Sequence, residues 1–274
     1  MSTTVELFYN ESDARAAAQV ESNVLQEAPP LVVLHGLFGS ADNWRSHIKS
    51  WAETRRVIAV DLRNHGRSPH VSGMSYSEQA ADVIALLDRL EIEQCDLLGH
   101  SMGGKVAMQV ALDAPERLRR LVVADIAPVA YGHGHDEIFA AFEAVRDAHP
   151  ASRKEADGVM AQHVDTPAIR QFLATNLVRL EDDSMGWRVG LDQIAAGYMQ
   201  IVEAPQGAGP VELPTLLLWG ARSNYVQQNG MAVMRERFPA LEDASLDAGH
   251  WLHAERAAEF QQAVLVFLDR DSRT

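Results

Sequence analysis

Apolar residues recur along this chain in short runs at 31–34 (LVVL), 57–60 (VIAV), 95–98 (CDLL), 121–124 (LVVA) and 215–219 (TLLLW). The runs are continuous rather than alternating, which predicts strands covered on both faces. Between them the spacing changes to that of a helix. Trp44, Ile48 and Trp51 share one helical face, and Ala80, Val83, Ile84, Leu87 and Leu90 share another. Ser75 with Glu78 forms the sequence pattern of a capping box at the start of the second helix. A third helical pattern follows Gly103, from Lys105 to Leu112. Strands that alternate with helices predict an α/β fold with a mostly parallel central sheet flanked by helices. Residues 4–22, with Val5, Leu7 and Tyr9, read as edge strands.

After Pro128 the pattern changes. From 130 to 212 only helical stretches are evident: Ile138, Ala141, Phe142 and Val145 in one, and Leu191, Ile194, Ala195 and Tyr198 in another. Between these, Thr166-Pro167 is a good helix start for a stripe of Ile169, Phe172, Leu173 and Leu177. Residues 205–210, rich in Gly and Pro, return the chain to a strand at 215–219 and a helix near 231–238. A weak strand at 244–246 and a closing helix with Phe260, Val264 and Phe267 complete the pattern. The predicted organisation is a core of residues 1–129 and 213–274 with an inserted helical cap, 130–212. Phe139, Phe142, Phe172, Trp187 and Tyr198 are available in that cap to roof an apolar pocket.

Composition narrows the function. The 274 residues carry 24 Lys and Arg against 38 Asp and Glu, a formal charge of -14, which argues against nucleic acid or an anionic membrane as partner. A mean hydropathy of -0.15 is that of a soluble globular protein. Neither a signal-peptide pattern nor an apolar stretch of the ~20 residues needed for a membrane span is evident. The lone Cys95, in a buried run, reads as an inert thiol of a cytoplasmic protein.

Chemistry gathers just past the strand ends, where open α/β sheets place their sites. Gly99-His100-Ser101-Met102-Gly103 fits the G-x-S-x-G elbow, in which a strand turns into a helix so sharply that the serine hydroxyl stands clear. Such a serine needs a base, and the base an orienting acid. Of eleven histidines, His250 is the best base, since it follows a late strand and precedes the last helix; His253 is the runner-up. His47, His70, His149 and His163 read as solvated, and His100 as packing. The loop 220–226 lacks a carboxylate, and Asp247 is too near His250 in sequence to reach its far nitrogen. Asp125, at the end of the strand after the elbow helix, is the predicted acid; its plainer alternative is a turn former before Pro128. Residues 35–40 (HGLFGS) have the form of an oxyanion hole, with the backbone N–H groups of Leu37 and Met102 as donors. Phe38, Tyr131, Phe142, Trp187 and Trp251 are the expected substrate-pocket residues. His133-Gly134-His135-Asp136 lacks further ligands at metal spacing and reads as a hinge, and residues 61–69 as a structural turn.

In the order HGLFGS, DLRNHGRSPH, GHSMGGKVAM, VVADIAPVAY, HDEIFAAF and AGHWLHAE, the chain resembles the α/β-hydrolase superfamily. Within it the chain is similar to the YbfF-type bacterial esterases and their mitochondrial α/β-hydrolase-domain relatives. That resemblance implies a serine carboxylesterase acting on acyl esters or acyl thioesters, with no metal or organic cofactor and with the acid after the sixth strand, as at Asp125. A C–C bond hydrolase or a cofactor-free perhydrolase would use a similar triad. A non-catalytic ligand sensor or interaction protein is the alternative outside enzymes. A cap patch of Arg153, Lys154, Arg170 and Arg188 is the feature that acyl-CoA would require of so acidic a chain. Monomer and homodimer are equally compatible with the sequence.

Overall fold

Successive residues of each apolar run enter two different cores, one on either side of a single sheet. The computed structural model describes residues 4–13 and 28–270. Its strands are β1 (Tyr9–Ser12), β2 (Leu31–Leu34), β3 (Val57–Val60), β4 (Cys95–His100), β5 (Leu118–Ala124), β6 (Leu177–Arg179), β7 (Met185–Trp187), β8 (Thr215–Gly220) and β9 (Leu241–Leu246). Seven of them form one sheet in the order β1-β3-β2-β4-β5-β8-β9. β1 is antiparallel to β3, and the other pairings of that sheet are parallel. Of the stretch 4–22 expected at an edge, β1 takes that place, and residues 14–22 lie outside the described residues.

Val32, Leu34, Ile58, Val60, Leu97, Leu121, Val123 and Leu217 point to one core. Their neighbours Leu31, Val33, Val57, Ala59, Leu98, Val122 and Leu216 point to the other. The period of two along a strand makes this division inevitable once both faces are covered. α1 (Arg45–Trp51) covers the second face, whereas α2 (Tyr76–Arg89) and α3 (Met102–Asp113) cover the first. Ser75 and Glu78 form the expected capping box at the start of α2. Asp96, the polar interruption of the third run, is wholly buried and pairs with Arg55 (3.0 Å) and Arg119 (2.8 Å).

Between β5 and β8 the chain passes through α4 (Asp136–Ala148), α5 (Arg153–Met160), α6 (Pro167–Leu173), the β6–β7 hairpin, α7 (Leu191–Ala196) and α8 (Tyr198–Val202). The hairpin departs from the helix-only expectation: Leu177 ends in β6 rather than on a helical stripe, and Trp187 belongs to β7. Strands of three residues are too short to show a period, and the turn between them is held locally by Asp182 accepting from Ser184. The expected helix across 191–198 is likewise two helices, with Gly197 between them. The chain then closes with α9 (Gln228–Arg237), α10 (Leu252–Glu255) and α11 (Ala257–Leu268). Among the described residues no helix is long and apolar enough to cross a membrane.

His47 is a second correction. Expected in solvent, it is 2 % exposed and packed among Trp44, Trp51 and Phe260, with Nε2 donating to the His253 carbonyl at 2.9 Å. Its spacing was the available signal: position 47 is three beyond Trp44 and four before Trp51, so it shares their face.

α3 lies close against β2 because two glycines allow it. A Cβ on Gly99 would stand 2.1 Å from the Gly103 carbonyl oxygen, and one on Gly103 would stand 2.4 Å from that of His35. Backbone occupies those positions, so nothing can rotate away. Gly103→Ala is expected to lower unfolding stability by about 3 kcal/mol, at the upper end of overpacking costs. Urea denaturation measures this, and a loss under about 0.5 kcal/mol, the scale of surface substitutions, would contradict the close approach.

Candidate active site

The rim formed by the carboxyl ends of β2, β3, β4 and β5 concentrates backbone strain. Phe38, Asn64, Ser101 and Asp125 have φ of 61°, 65°, 54° and 50°, a region costly to residues with a Cβ. Ser101, with ψ -122°, is the turn between β4 and α3. Its carbonyl accepts from Gly104 (2.8 Å) and Lys105 (3.1 Å), while its own N–H donates to Ala124 on β5 (3.0 Å). The hydroxyl is thereby held at the rim.

Three side chains from separate parts of the chain meet there. His250 Nε2 lies 2.9 Å from Ser101 Oγ, and His250 Nδ1 lies 2.7 Å from Asp125 Oδ2. Asp125 is fully buried, and its other oxygen accepts from the Gly220 N–H at 2.8 Å. A carboxylate facing Nδ1 selects the tautomer with its proton there, which leaves Nε2 as acceptor for the serine hydroxyl. Asp247 stands apart, exposed and paired with Arg222 and Arg256.

Sequence reasoning missed two members of this arrangement. Ser223 Oγ donates to Asp125 Oδ2 in a short hydrogen bond, so the loop without a carboxylate supports one by donating to it. Tyr225 stacks on His250, with ring centroids 4.0 Å apart and planes 24° apart. The signal for both was position, since their loop follows the strand next to Asp125. His100 also lies beside His250, ring centroids 4.8 Å apart, and its Nε2 donates to the His250 carbonyl at 2.8 Å. It is packing, as expected. His253 packs below it at 4.4 Å.

The loop 36–40 reaches the serine closely: a Cβ on Gly36 would come within 3.2 Å of Ser101 Cβ. Phe38 N–H donates to His65 Nε2 at 3.1 Å. The N–H groups of Leu37 and Met102 make no hydrogen bond among the described residues. They are the free donors of that corner. Two neutral histidines hold the loop. His35 Nδ1 donates to the Gly36 carbonyl (2.8 Å) and its Nε2 accepts from Leu62 N–H (3.0 Å). His65 repeats the pattern, with Nδ1 donating to Arg63 (2.8 Å) and Nε2 accepting from Phe38. Each ring can make both bonds only when uncharged. Burial pushes His35 down to about 4 and His65 to about 3, the latter helped by His35 beside it. The turn 61–69 is thus structural, as expected.

The expected pocket residues divide. Phe38 is 2 % exposed, packs on Phe139 and Phe142, and accepts at its carbonyl from Asn176 (2.7 Å). Phe142 is 1 % exposed, and Trp187 packs edge-on against it while donating to its carbonyl. These three hold α4 and β7 to the core; the two phenylalanines offer almost no open surface, and Trp187 is half-buried. Trp251 is half-buried and meets Phe172 of α6, ring centroids 5.6 Å apart. Tyr131 donates to the Tyr225 carbonyl (2.6 Å) and accepts from Ala127 N–H (3.0 Å). Two surface cavities of about 490 and 410 Å³ open elsewhere, lined by Gln94, Leu118 and Pro214 in one and Phe8, Asp42 and Arg67 in the other. Among the described residues no three His, Cys, Asp or Glu side chains are grouped to hold a metal, and His135 instead meets the Tyr198 hydroxyl.

A strained serine at a strand-to-helix turn, a histidine on its hydroxyl and a buried acid on the next strand define the hydrolase class of open α/β sheets. The sequence profile described as alpha/beta hydrolase fold matches residues 29–257, and the chain belongs to that family. Within the family it is of the YbfF-type esterase group. It is 36% identical to esterase YbfF of Escherichia coli over 242 residues, 88% of this chain and 93% of that one. It is 42% identical to the sn-1-specific diacylglycerol lipase ABHD11 of Mus musculus over 249 residues, 88% of this chain and 81% of that one. A solved marine microorganism esterase, 33% identical, superposes with a TM-score of 0.89 over 96% of this chain and all (100%) of that one.

The buried histidines set a prediction for acid stability. With folded values near 4 for His35 and near 3 for His65 and His253, below the 6.5 of an exposed ring, the unfolded chain binds protons that the folded chain refuses. Stability is therefore full above pH 6.5 and lost as pH falls through the 6.5-to-3 window, on the order of 1 kcal/mol per pH unit for each ring. Urea midpoints are expected to drop steeply between pH ~6 and ~4.5, before most carboxylates titrate. Midpoints unchanged from pH 7 to 5 would contradict the neutral-histidine account.

Proposed function

We propose that this protein is a serine carboxylesterase whose triad is Ser101, His250 and Asp125. The relay of 2.9 and 2.7 Å from serine through imidazole to carboxylate carries the reading. Ser101 Oγ attacks the acyl carbon as His250 Nε2 takes its proton. The oxyanion is held by the Leu37 and Met102 N–H groups, the latter at the N-terminus of α3, where the helix dipole adds to the hydrogen bond. The C–O bond to the leaving group then breaks, and the departing alcohol takes the proton from Nε2. Water, deprotonated by the same nitrogen, attacks the acyl-serine, and the acid leaves as Nε2 returns its proton to Oγ. Asp125 stays ionised throughout and stabilises the imidazolium.

Residues 130–212 act as the cap over this rim. The substrate class that fits is a small neutral acyl ester. Cap arginines that a phosphorylated thioester would need are engaged: Arg153 with the carbonyls of Ala174 and Leu177, and Arg170 with Asp157 and the carbonyls of Val164 and Asp165. The net charge of -14 acts against acyl-CoA as well. The single Cys95, buried in β4, fits a reducing cytoplasm.

Asp125→Asn is expected to fold and to lose up to about 10⁴-fold in turnover, because the amide no longer favours the required tautomer. Asp247→Asn should stay within about threefold of the parent, as expected for an exposed ion pair. Steady-state kinetics on a p-nitrophenyl ester decide between them. Near-parent turnover by Asp125→Asn at neutral pH would overturn the assignment of the acid.

A further inference from the structure

The two crossings of the chain between core and cap meet at a buried lysine. Tyr131, on the way out, donates its backbone N–H to the Val202 carbonyl, on the way back, at 2.8 Å. Lys105, one turn along α3 from Ser101, is 2 % exposed and donates through Nζ to the carbonyls of Val202 (3.3 Å) and Glu203. The same ammonium stands 4.6 Å from the centre of the Tyr131 ring and 5.3 Å from that of Tyr76. Tyr76 adds a hydrogen bond from its hydroxyl to the Ile201 carbonyl, and Gln109, a turn beyond Lys105, pairs with both backbone groups of Gln206. The last carbonyls of α8 have no partners within their own helix. Core side chains satisfy them, and the return strand of the cap is thereby anchored to the elbow helix.

This anchor continues to the catalytic imidazole. The Tyr131 hydroxyl is fixed between Ala127 N–H at 3.0 Å and the Tyr225 carbonyl at 2.6 Å. The Tyr225 ring is the one stacked on His250, and its backbone N–H donates to Ser223 Oγ at 3.2 Å, the hydroxyl that meets Asp125. Loop 221–227, which carries Ser223 and Tyr225, therefore hangs between the acid on one side and Tyr131 on the other. If Tyr131 moves with the cap, the surface against which His250 lies moves too.

We propose that Tyr131 is a positioning residue that couples the seating of the cap to the orientation of His250, with Lys105 as the clamp that seats it. The inference rests on His250 being the base. Acylation competence is then read from the cap hinge through Tyr131 and Tyr225, not through the substrate pocket. A cation held over the Tyr131 ring adds attraction that a neutral side chain of similar length lacks. Burial among Tyr76 and Tyr131, opposed by the nearby Glu203 carboxylate, brings the Lys105 ammonium down to about 7, so the clamp can lose its charge near neutrality.

The experiment is a kinetic cycle on p-nitrophenyl acetate with parent, Tyr131→Phe, Tyr225→Leu, their double variant and Ser101→Ala. Tyr131→Phe removes one hydroxyl and keeps the ring over Lys105. It is expected to lower kcat at least tenfold with KM within twofold, and to slow fluorophosphonate labelling of Ser101 by the same factor. Tyr225→Leu should fall comparably, and the double variant no further than the lower single, because both interrupt one path to His250, the first at the hydroxyl bonded to the Tyr225 carbonyl and the second at the ring stacked on the imidazole. Lys105→Met, if it folds, should shift the same way, with Lys105→Arg restoring most of the rate. Unchanged kcat in Tyr131→Phe, additive losses in the double variant, or a loss confined to KM would each overturn the coupling. Full activity in Ser101→Ala would instead remove the serine-esterase reading on which it rests.

Discussion

A serine held at φ 54° between a strand and a helix is the constraint on which this structure turns. That conformation costs on the order of 1–3 kcal/mol for a residue with a Cβ, and it persists only if its surroundings leave no other choice. They do so by pressing α3 onto β2 where Gly103 passes the His35 carbonyl, and by tying the Ser101 N–H to β5. The neighbouring strand ends in Asp125, itself at positive φ, with its N–H on β8 at 2.8 Å. The strained Ser101 and the strained Asp125 are thus held by four adjacent parallel strands, β2, β4, β5 and β8. Register fixes their spacing: His100 lies beside Ala124, so the residues after them, Ser101 and Asp125, leave the sheet side by side.

Around that pair the protein keeps its histidines uncharged. His35 and His65 each use both nitrogens to join the loop 36–40 to the turn after β3, which only the neutral ring can do. His100 and His253, buried beneath His250, are lowered chiefly by the same desolvation. Their neutrality keeps competing positive charge away from His250, the base of the proposed mechanism. Of these rings and His250, among the described residues, His250 is the one whose Nδ1 meets a carboxylate. Asp125, in turn, takes three donors, from His250, Ser223 and Gly220, so that its buried charge is fully hydrogen-bonded.

The core and the triad candidates were legible because each left a signal longer than one residue. Continuous apolar runs announced buried parallel strands, and the glycines at 99 and 103 marked the sharp turn. Asp125 followed from where its strand had to lie. What escaped depended on contacts between distant residues. The β6–β7 hairpin has strands of three residues, below the length at which alternation can be told from chance. Ser223 and Tyr225 are ordinary loop residues until β8 places them against Asp125 and His250. Tyr131 and Trp187 have the composition of pocket walls, yet their polar atoms bond to the backbone of Tyr225 and Phe142. Aromatic composition does not reveal whether a ring faces a ligand or another ring.

A covalent acyl-serine is the intermediate that the proposed triad of Ser101, His250 and Asp125 requires. Acid-quenched intact-mass analysis during turnover of a slowly deacylating ester, followed by peptide mapping, observes it directly. The account predicts one acyl equivalent on Ser101 in the parent protein and none in His250→Ala over the same interval. No adduct in an active preparation, or an adduct on any other residue, would contradict it.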